Sequence, residues 1–304
     1  MSKVIAISVF KGGTGKTTTA VSLAAALKTL SARVLLIDLD QQATATKYVG
    51  LNPEEKPTLY NVFLKEVHIG SAIRELPFGF STIPANAGLA AIEDALEEGD
   101  ETLLRDFISS IRDDFDYVVI DTPPGKAGLT INALSAADEV IITLQTERPA
   151  LEGVNDLIKF THDIVFRYND NLKIRGILPT MYRKGTKHTV GILKRARQLW
   201  TDYVFPIEIP NTIEFSRSFE EKTPIIMSNP RHPGAQAYMQ FARLIHGLPL
   251  EHIEHSAEEE TEHTASVEEE GEETNEEGRE AKGDENRVSE EETREEMNQN
   301  AQVS

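Results

Sequence analysis

Three short stretches carry residue types suited to phosphate chemistry. The first is Lys11-Gly12-Gly13-Thr14-Gly15-Lys16-Thr17-Thr18, set between the apolar run Val4 to Phe10 and the alanine-rich stretch Ala20 to Leu27. Gly12, Gly13 and Gly15 have no Cβ, so the backbone there can take positive φ and turn successive N–H groups toward an anion. A helix beginning near Lys16 adds the positive end of its dipole at the same point. Lys16 can then reach the β- and γ-phosphates of a nucleotide, and the Thr17 hydroxyl is placed to ligate Mg2+. The alternative is a glycine-rich turn with two incidental lysines. The order strand, turn, Gly-Lys-Thr, helix argues against it.

The second stretch, Leu35-Leu36-Ile37-Asp38-Leu39-Asp40, ends an apolar run in two carboxylates. Beside a γ-phosphate such a pair can orient an attacking water or hold the water shell of a metal; a pair of turn-forming aspartates is the plainer reading. The third, Tyr117-Val118-Val119-Ile120-Asp121-Thr122-Pro123-Pro124-Gly125, ends another apolar run in an aspartate and a proline-stiffened turn. In phosphate-loop enzymes an aspartate so placed holds Mg2+, usually through water.

These residues need strands that end together. Apolar runs at Val4 to Val9, Val34 to Asp38, Phe80 to Pro84, Tyr117 to Asp121, Glu139 to Leu144, Ile174 to Pro179 and Tyr203 to Ile207 predict strands. Helical spacing occupies 16–30, 100–113, 128–136, 150–167, 186–200 and 233–247, with a shorter helix-like stretch at Thr58 to Leu64 and a possible cap at Asn86. Uniformly apolar strands alternating with helices predict a doubly wound α/β fold, a mostly parallel sheet with helices on both faces. Ligands in such sheets sit beyond the carboxyl ends of the strands.

The chain has 304 residues and a formal net charge of -19, unevenly spread. Residues 251–304 hold 21 acidic and 4 basic residues, which leaves 29 acidic against 27 basic in residues 1–250. The expectation is one nearly neutral domain over 1–250 and a disordered acidic tail over 251–304, too poor in apolar residues to offset its ordering entropy. The tail either competes with nucleic acid for a basic surface or acts as a solubilising extension. Cysteine is absent, which excludes cysteine-ligated iron–sulfur or zinc chemistry and fits a reducing compartment. No signal peptide and no run of 18 apolar residues is found, so a cytoplasmic protein is expected.

The loop departs from the general pattern GxxxxGK[ST]: Phe10 stands where its first glycine would be, and a second lysine, Lys11, precedes the glycines. Lys-Gly-Gly-Thr-Gly-Lys-Thr-Thr therefore resembles the deviant Walker A loop of the ParA/MinD superfamily of ATPases, which have the P-loop NTPase fold. The resemblance implies ATP and Mg2+ as cofactors and a homodimer when ATP is bound, with Lys11 reaching the partner's nucleotide; by residue type alone Lys11 is a solvated lysine at a strand end. Lys11, Lys16 and Asp40 then carry catalysis, Asp40 positioning the water. Lys11 to Thr18 hold the nucleotide, with Met181 and Pro210 near its base, and Thr17, Asp38 and Asp121 serve the metal. Gln41 replaces the family's usual proline, leaving that loop less constrained. Pro84-Ala85-Asn86 and Leu151-Glu152-Gly153 are also similar; Glu152 is explained by a helix start, and the resemblance puts it near the dimer face.

Arg183, Lys184, Lys187, Lys194, Arg195 and Arg197 fall within fifteen positions that hold no acidic residue. Such a run is either a solvated helix face or the footprint of sequence-independent contacts on DNA. The resemblance implies non-specific DNA binding by the ATP-bound dimer, nucleoid association, and a ParB-like or cargo adaptor protein that stimulates hydrolysis. Arg217, where the family commonly has an acidic residue, and Arg243 are further candidates. No helix-turn-helix precedes Val4, so no site-specific operator binding is expected. The rivals are a MinD-like membrane-surface ATPase, disfavoured by the acidic terminus since such anchors are basic and amphipathic, and a metabolic synthetase sharing the loop. No membrane partner is expected.

Overall fold

The computed structural model describes residues 2–146 and 150–251. The acidic tail expected over 251–304 lies outside the described residues beyond Glu251. Residues up to Leu248 form one compact unit.

Seven strands make one sheet: β1 Lys3–Ser8, β2 Val34–Asp38, β3 Arg74–Glu75, β4 Ser81–Ile83, β5 Tyr117–Asp121, β6 Glu139–Gln145 and β7 Lys173–Thr180. Their order is β3-β4-β2-β5-β1-β6-β7, parallel except at the β3/β4 edge. The interior strand β1 explains the layering. Ile5 and Ile7 of β1 pack with Leu23 and Leu27 of the helix Lys16–Thr29 and with Phe241 of the helix Pro233–His246. Val4 and Ala6 point the other way, toward Leu104, Leu129 and Leu134 of the helices Leu103–Ser109 and Gly128–Ala136. Alternate residues thus feed two separate cores, which is why these strands read as apolar throughout. The architecture is the doubly wound α/β sheet of phosphate-loop NTPases.

One expected strand is corrected. Tyr203 to Ile207 is not a strand; it runs beside β7 with a single bridge, Ile177 to Val204. The Ile177 N–H donates to the Tyr203 carbonyl at 2.7 Å and the Phe205 N–H to the Ile177 carbonyl at 2.9 Å. Two residues on, Pro179 faces the same side but has no N–H to give the Phe205 carbonyl, so the ladder breaks, and the next bond runs from the Ile209 N–H to the Pro179 carbonyl at 2.9 Å. The seventh sheet member is instead the two-residue edge β3, too short to carry a periodic signal.

Most expected helices fall where the spacing put them, at Lys16–Thr29, Gly128–Ala136, Ala150–Arg167, Lys187–Leu199 and Pro233–His246. The 100–113 stretch divides into the helix Leu103–Ser109 and a 3-10 turn Arg112–Asp114. Leu59–Phe63 is a helix with a capping box, in which the Thr58 N–H donates to Asn61 Oδ1 at 3.0 Å. Thr44–Tyr48, Glu214–Glu220 and Ile225–Ser228 are helices of at most seven residues, not anticipated because two turns are too few to set a period, and Leu89–Ala95 is the short helix that the cap at Asn86 led one to expect. Asn86 receives the Gly88 N–H at 3.0 Å just ahead of Leu89–Ala95.

A Cβ added at Gly176 would lie 2.7 Å from the Tyr203 carbonyl oxygen and 2.8 Å from the Phe205 ring. Gly176→Ala is expected to destabilise the fold by about 1–3 kcal/mol through overpacking, read as a lower midpoint in chemical denaturation. An unchanged midpoint would mean that the 203–205 strip yields freely.

Candidate nucleotide-binding site

The carboxyl end of β1, at mid-sheet, delivers the glycine loop. Gly13 (φ +75) and Gly15 (φ +83) take the left-handed conformation, and Gly15 opens the helix Lys16–Thr29. Gly12 does not, which corrects the expectation of positive φ at all three glycines; a Cβ there would meet nothing within 4 Å, so the chain's own packing does not demand glycine. Thr14 is buried and braces the loop against the far half of the sheet. Its carbonyl accepts from Thr180 Oγ1 of β7 at 2.8 Å, and its hydroxyl lies 3.3 Å from Thr143 Oγ1 of β6. The two lysines differ sharply. Lys16 is 7% exposed, whereas Lys11 is exposed and its ammonium has no partner among the described residues. Phe10 packs edge-on against Phe160, with Lys126 Nζ 4.9 Å above its ring.

Strand register sets Asp38 of β2 directly beside Asp121 of β5, both fully buried. Asp38 spends its oxygens on the following loop: Oδ1 accepts the Asp40 N–H at 3.1 Å, and Oδ2 accepts the Thr46 N–H at 2.8 Å and the Thr46 hydroxyl at 2.7 Å. Burial, and then the charge of Asp121, push its pKa up to about 7 against those hydrogen bonds. Burial also raises Asp121, opposed chiefly by Lys16 and then by the Thr17 hydroxyl. Lys16 Nζ stands 3.4 Å from Asp121 Oδ1 and also donates to the Thr122 carbonyl.

Asp121 Oδ2 is buried with no hydrogen-bond partner. An ionisable oxygen in that condition needs an explanation, and a cation or a water bound to one supplies it. No group of three or more His, Asp or Glu side chains placed to hold a metal ion by themselves occurs among the described residues. The donor set therefore fits Mg2+, which binds through one or two protein oxygens and completes its shell with water and phosphate. Asp40 is nearly buried; its Oδ1 accepts the Gln42 N–H at 2.9 Å and its carbonyl accepts the Ala43 N–H at 2.8 Å, closing a turn over 40–43.

Beside the loop lies a cavity of about 440 Å3, within the range of small-molecule sites. Gly15, Thr17 and Thr18 line it, as do Met181 and Pro210. Met181 is itself left-handed, at φ +53. The cavity's aromatic wall, formed by Tyr48, Phe215, Phe219 and Tyr238, was missed in the sequence because those residues arrive on two very short helices and the helix Pro233–His246. Glu93 was missed too. Its carboxylate accepts the Gly128 N–H and, at 3.0 Å, the Leu129 N–H, capping the helix that follows the Asp121 turn.

Arg183, Lys184, Lys187, Lys194, Arg195 and Arg197 are all exposed. The helix Lys187–Leu199 buries Thr189, Ile192, Leu193 and Ala196, a stripe that keeps its cations outward. Arg197 is partly offset by Glu208 at 2.5 Å and Arg217 by Glu214 at 2.6 Å. Glu152 is exposed in the first turn of Ala150–Arg167.

Residues 2–174 match the family model described as an AAA domain. The sporulation initiation inhibitor protein Soj of Bacillus subtilis is 34% identical over 247 residues, covering 80% of this chain and 98% of Soj. The chromosome partitioning protein ParA of Caulobacter vibrioides is 36% identical over 248 residues, covering 79% of this chain and 92% of ParA. Cobyrinic acid a,c-diamide synthase from Mycobacterium smegmatis, solved with a bound ATP analogue and magnesium, superposes with a TM-score of 0.72 at 33% identity over 81% of this chain and 94% of that one.

Lys16→Ala removes the buried ammonium at the loop and is expected to abolish ATP binding in a fluorescent-nucleotide titration. Wild-type affinity in that variant would take the phosphate role away from the loop.

Proposed function

This chain belongs to the ParA and Soj family of AAA-domain ATPases, and we propose on that footing that its ATP-bound dimer holds DNA without regard to sequence and releases it after hydrolysis. Such a cycle moves or spaces a plasmid, a chromosome or another large cargo, working on the nucleoid under the stimulus of a ParB-like or cargo adaptor protein. The observation that carries this reading is the contrast between the loop lysines: one buried on its own chain, the other exposed and without a partner among the described residues. A cation presented by Lys11 to a second copy would neutralise charge developing on the transferred phosphoryl, as an arginine finger does at a gain of about 10³ to 10⁵ in rate. Gly12 suits the close approach this needs, since nothing among the described residues occupies the space a side chain would fill.

Within one copy, Lys16 would exchange Asp121 and the Thr122 carbonyl for phosphate oxygens. Thr17 and Asp121 would hold Mg2+, which supplies charge neutralisation at the β- and γ-phosphates. Asp38, whose oxygens are committed to Asp40 and Thr46, acts on the metal side by fixing that loop. Asp40 positions the water, and Met181 and Pro210 border the base. Arg183, Lys184, Lys187, Lys194 and Arg195 form the DNA face, with Arg197 a weaker member because of Glu208. The domain over 1–250 carries all of these roles. A synthetase is the second reading, favoured by the likeness to cobyrinic acid a,c-diamide synthase; it calls for ATP turnover driven by a small carboxylate and indifferent to DNA.

Duplex binding measured with ATP, ADP and no nucleotide over a salt series tests the main reading. Binding should require ATP, with log affinity falling linearly in log salt by about 0.9 per phosphate contacted; no binding in any state would leave an ATPase whose matrix is not DNA. Asp40→Ala should bind ATP and dissociate from the duplex far more slowly than wild type, because the water is no longer oriented. Release at the wild-type rate in ATP would contradict the role given to Asp40.

A further inference from the structure

The loop that carries Asp40 is held from both ends. At its start, Asp38 fixes the Asp40 N–H and the Thr46 N–H and hydroxyl, and Thr46 Oγ1 in turn accepts the Ala85 N–H at 2.9 Å. Between them lies the 40–43 turn, with Gln41 at its second position and Ala43 in the left-handed region at φ +51. That φ is unfavourable for a residue with a Cβ, and glutamine leaves the turn's own φ unrestrained. Beyond Thr46 comes Tyr48, 1% exposed. Its hydroxyl lies 2.5 Å from Ser218 Oγ, 170 positions away in sequence, and its ring meets Phe219 edge-on at 5.3 Å.

The direction of this contact is fixed by chemistry. Burial pushes the Tyr48 hydroxyl up to about 12, so it keeps its proton. Ser218 gives its own proton to the Phe215 carbonyl at 3.1 Å, and therefore accepts from Tyr48. The helix Glu214–Glu220 that carries Ser218 also presents Phe215, Ser216, Phe219 and Glu220 to the 440 Å3 cavity, which Tyr48 lines as well.

We infer that Tyr48 is a positioning residue: its bond to Ser218 ties the cavity wall to the loop carrying Asp40, so that a nucleotide seated in the cavity holds the water-orienting carboxylate in place. This rests on the ATPase reading above. The route is continuous through named atoms, from the Glu214–Glu220 helix to Ser218, Tyr48, the short helix Thr44–Tyr48, Thr46, Asp38 and the Asp40 N–H.

Steady-state hydrolysis of ATP in the presence of duplex, with melting measured alongside, tests the link. Tyr48→Phe keeps the ring against Phe219 and leaves Ser218 bonded to Phe215, and Ser218→Ala cuts the same contact from the other end. Each is expected to lower kcat about three- to tenfold, the worth of one neutral hydrogen bond, with KM for ATP within about twofold of wild type and a melting temperature lowered by no more than about 4 °C. Because proline is favoured at the second position of such a turn and restrains its φ, Gln41→Pro added to Tyr48→Phe should recover most of the lost kcat. Wild-type kcat in both single variants overturns the link while leaving the ATPase reading intact. So does a joint fall in ATP affinity and melting temperature that Gln41→Pro does not reverse. A wild-type chain that never hydrolyses ATP removes both readings together.

Discussion

Two carboxylates and an ammonium meet at the carboxyl edge of the sheet, and strand register leaves them no room to part. Asp38 and Asp121 are paired neighbours on β2 and β5, fully buried, with Lys16 closing on Asp121 from the next loop. Burying like charges side by side is costly unless each gains hydrogen bonds or a counter-charge. The surrounding architecture answers that demand. Thr46 and the Asp40 N–H serve Asp38, while Lys16 and Thr17 serve Asp121. One oxygen, Asp121 Oδ2, is left over among the described residues.

The same constraint explains why the loop is rigid where it is and open where it is. Thr14 is pinned to β6 and β7, so the half of the loop that leads into the helix cannot shift relative to the strand ends. Lys11 and Gly12 lie on the exposed side, and a Cβ at Gly12 would meet no described residue within 4 Å. Residues that pack poorly against their own chain but sit beside its most charged site are the ones a second molecule can use.

Outside the site the charge is sorted by distance rather than by total. The helix Lys187–Leu199 buries one apolar stripe and turns its cations outward, and Glu208 tempers one end of that face. A nearly neutral body can therefore present a local positive field, since exposed charges more than a Debye length apart are largely screened from one another.

The chain by itself determined what is local or strictly periodic. Apolar runs fixed the central strands, because a strand buried on both faces must be apolar throughout. The glycine loop announced itself because Gly13 and Gly15 have to be left-handed. Met181 and Pro210, which the resemblance puts near the base, line the cavity beside the loop. Tertiary structure decided what depends on neighbours remote in sequence. Tyr203 to Ile207 reads as a strand yet cannot ladder, because Pro179 of the strand beside it offers no N–H. Gly12 reads like its two companions yet takes a different backbone conformation. The contacts of Asp38 with Asp121, Thr14 with Thr180, and Tyr48 with Ser218 come from sheet register and helix packing, and no local residue pattern encodes them.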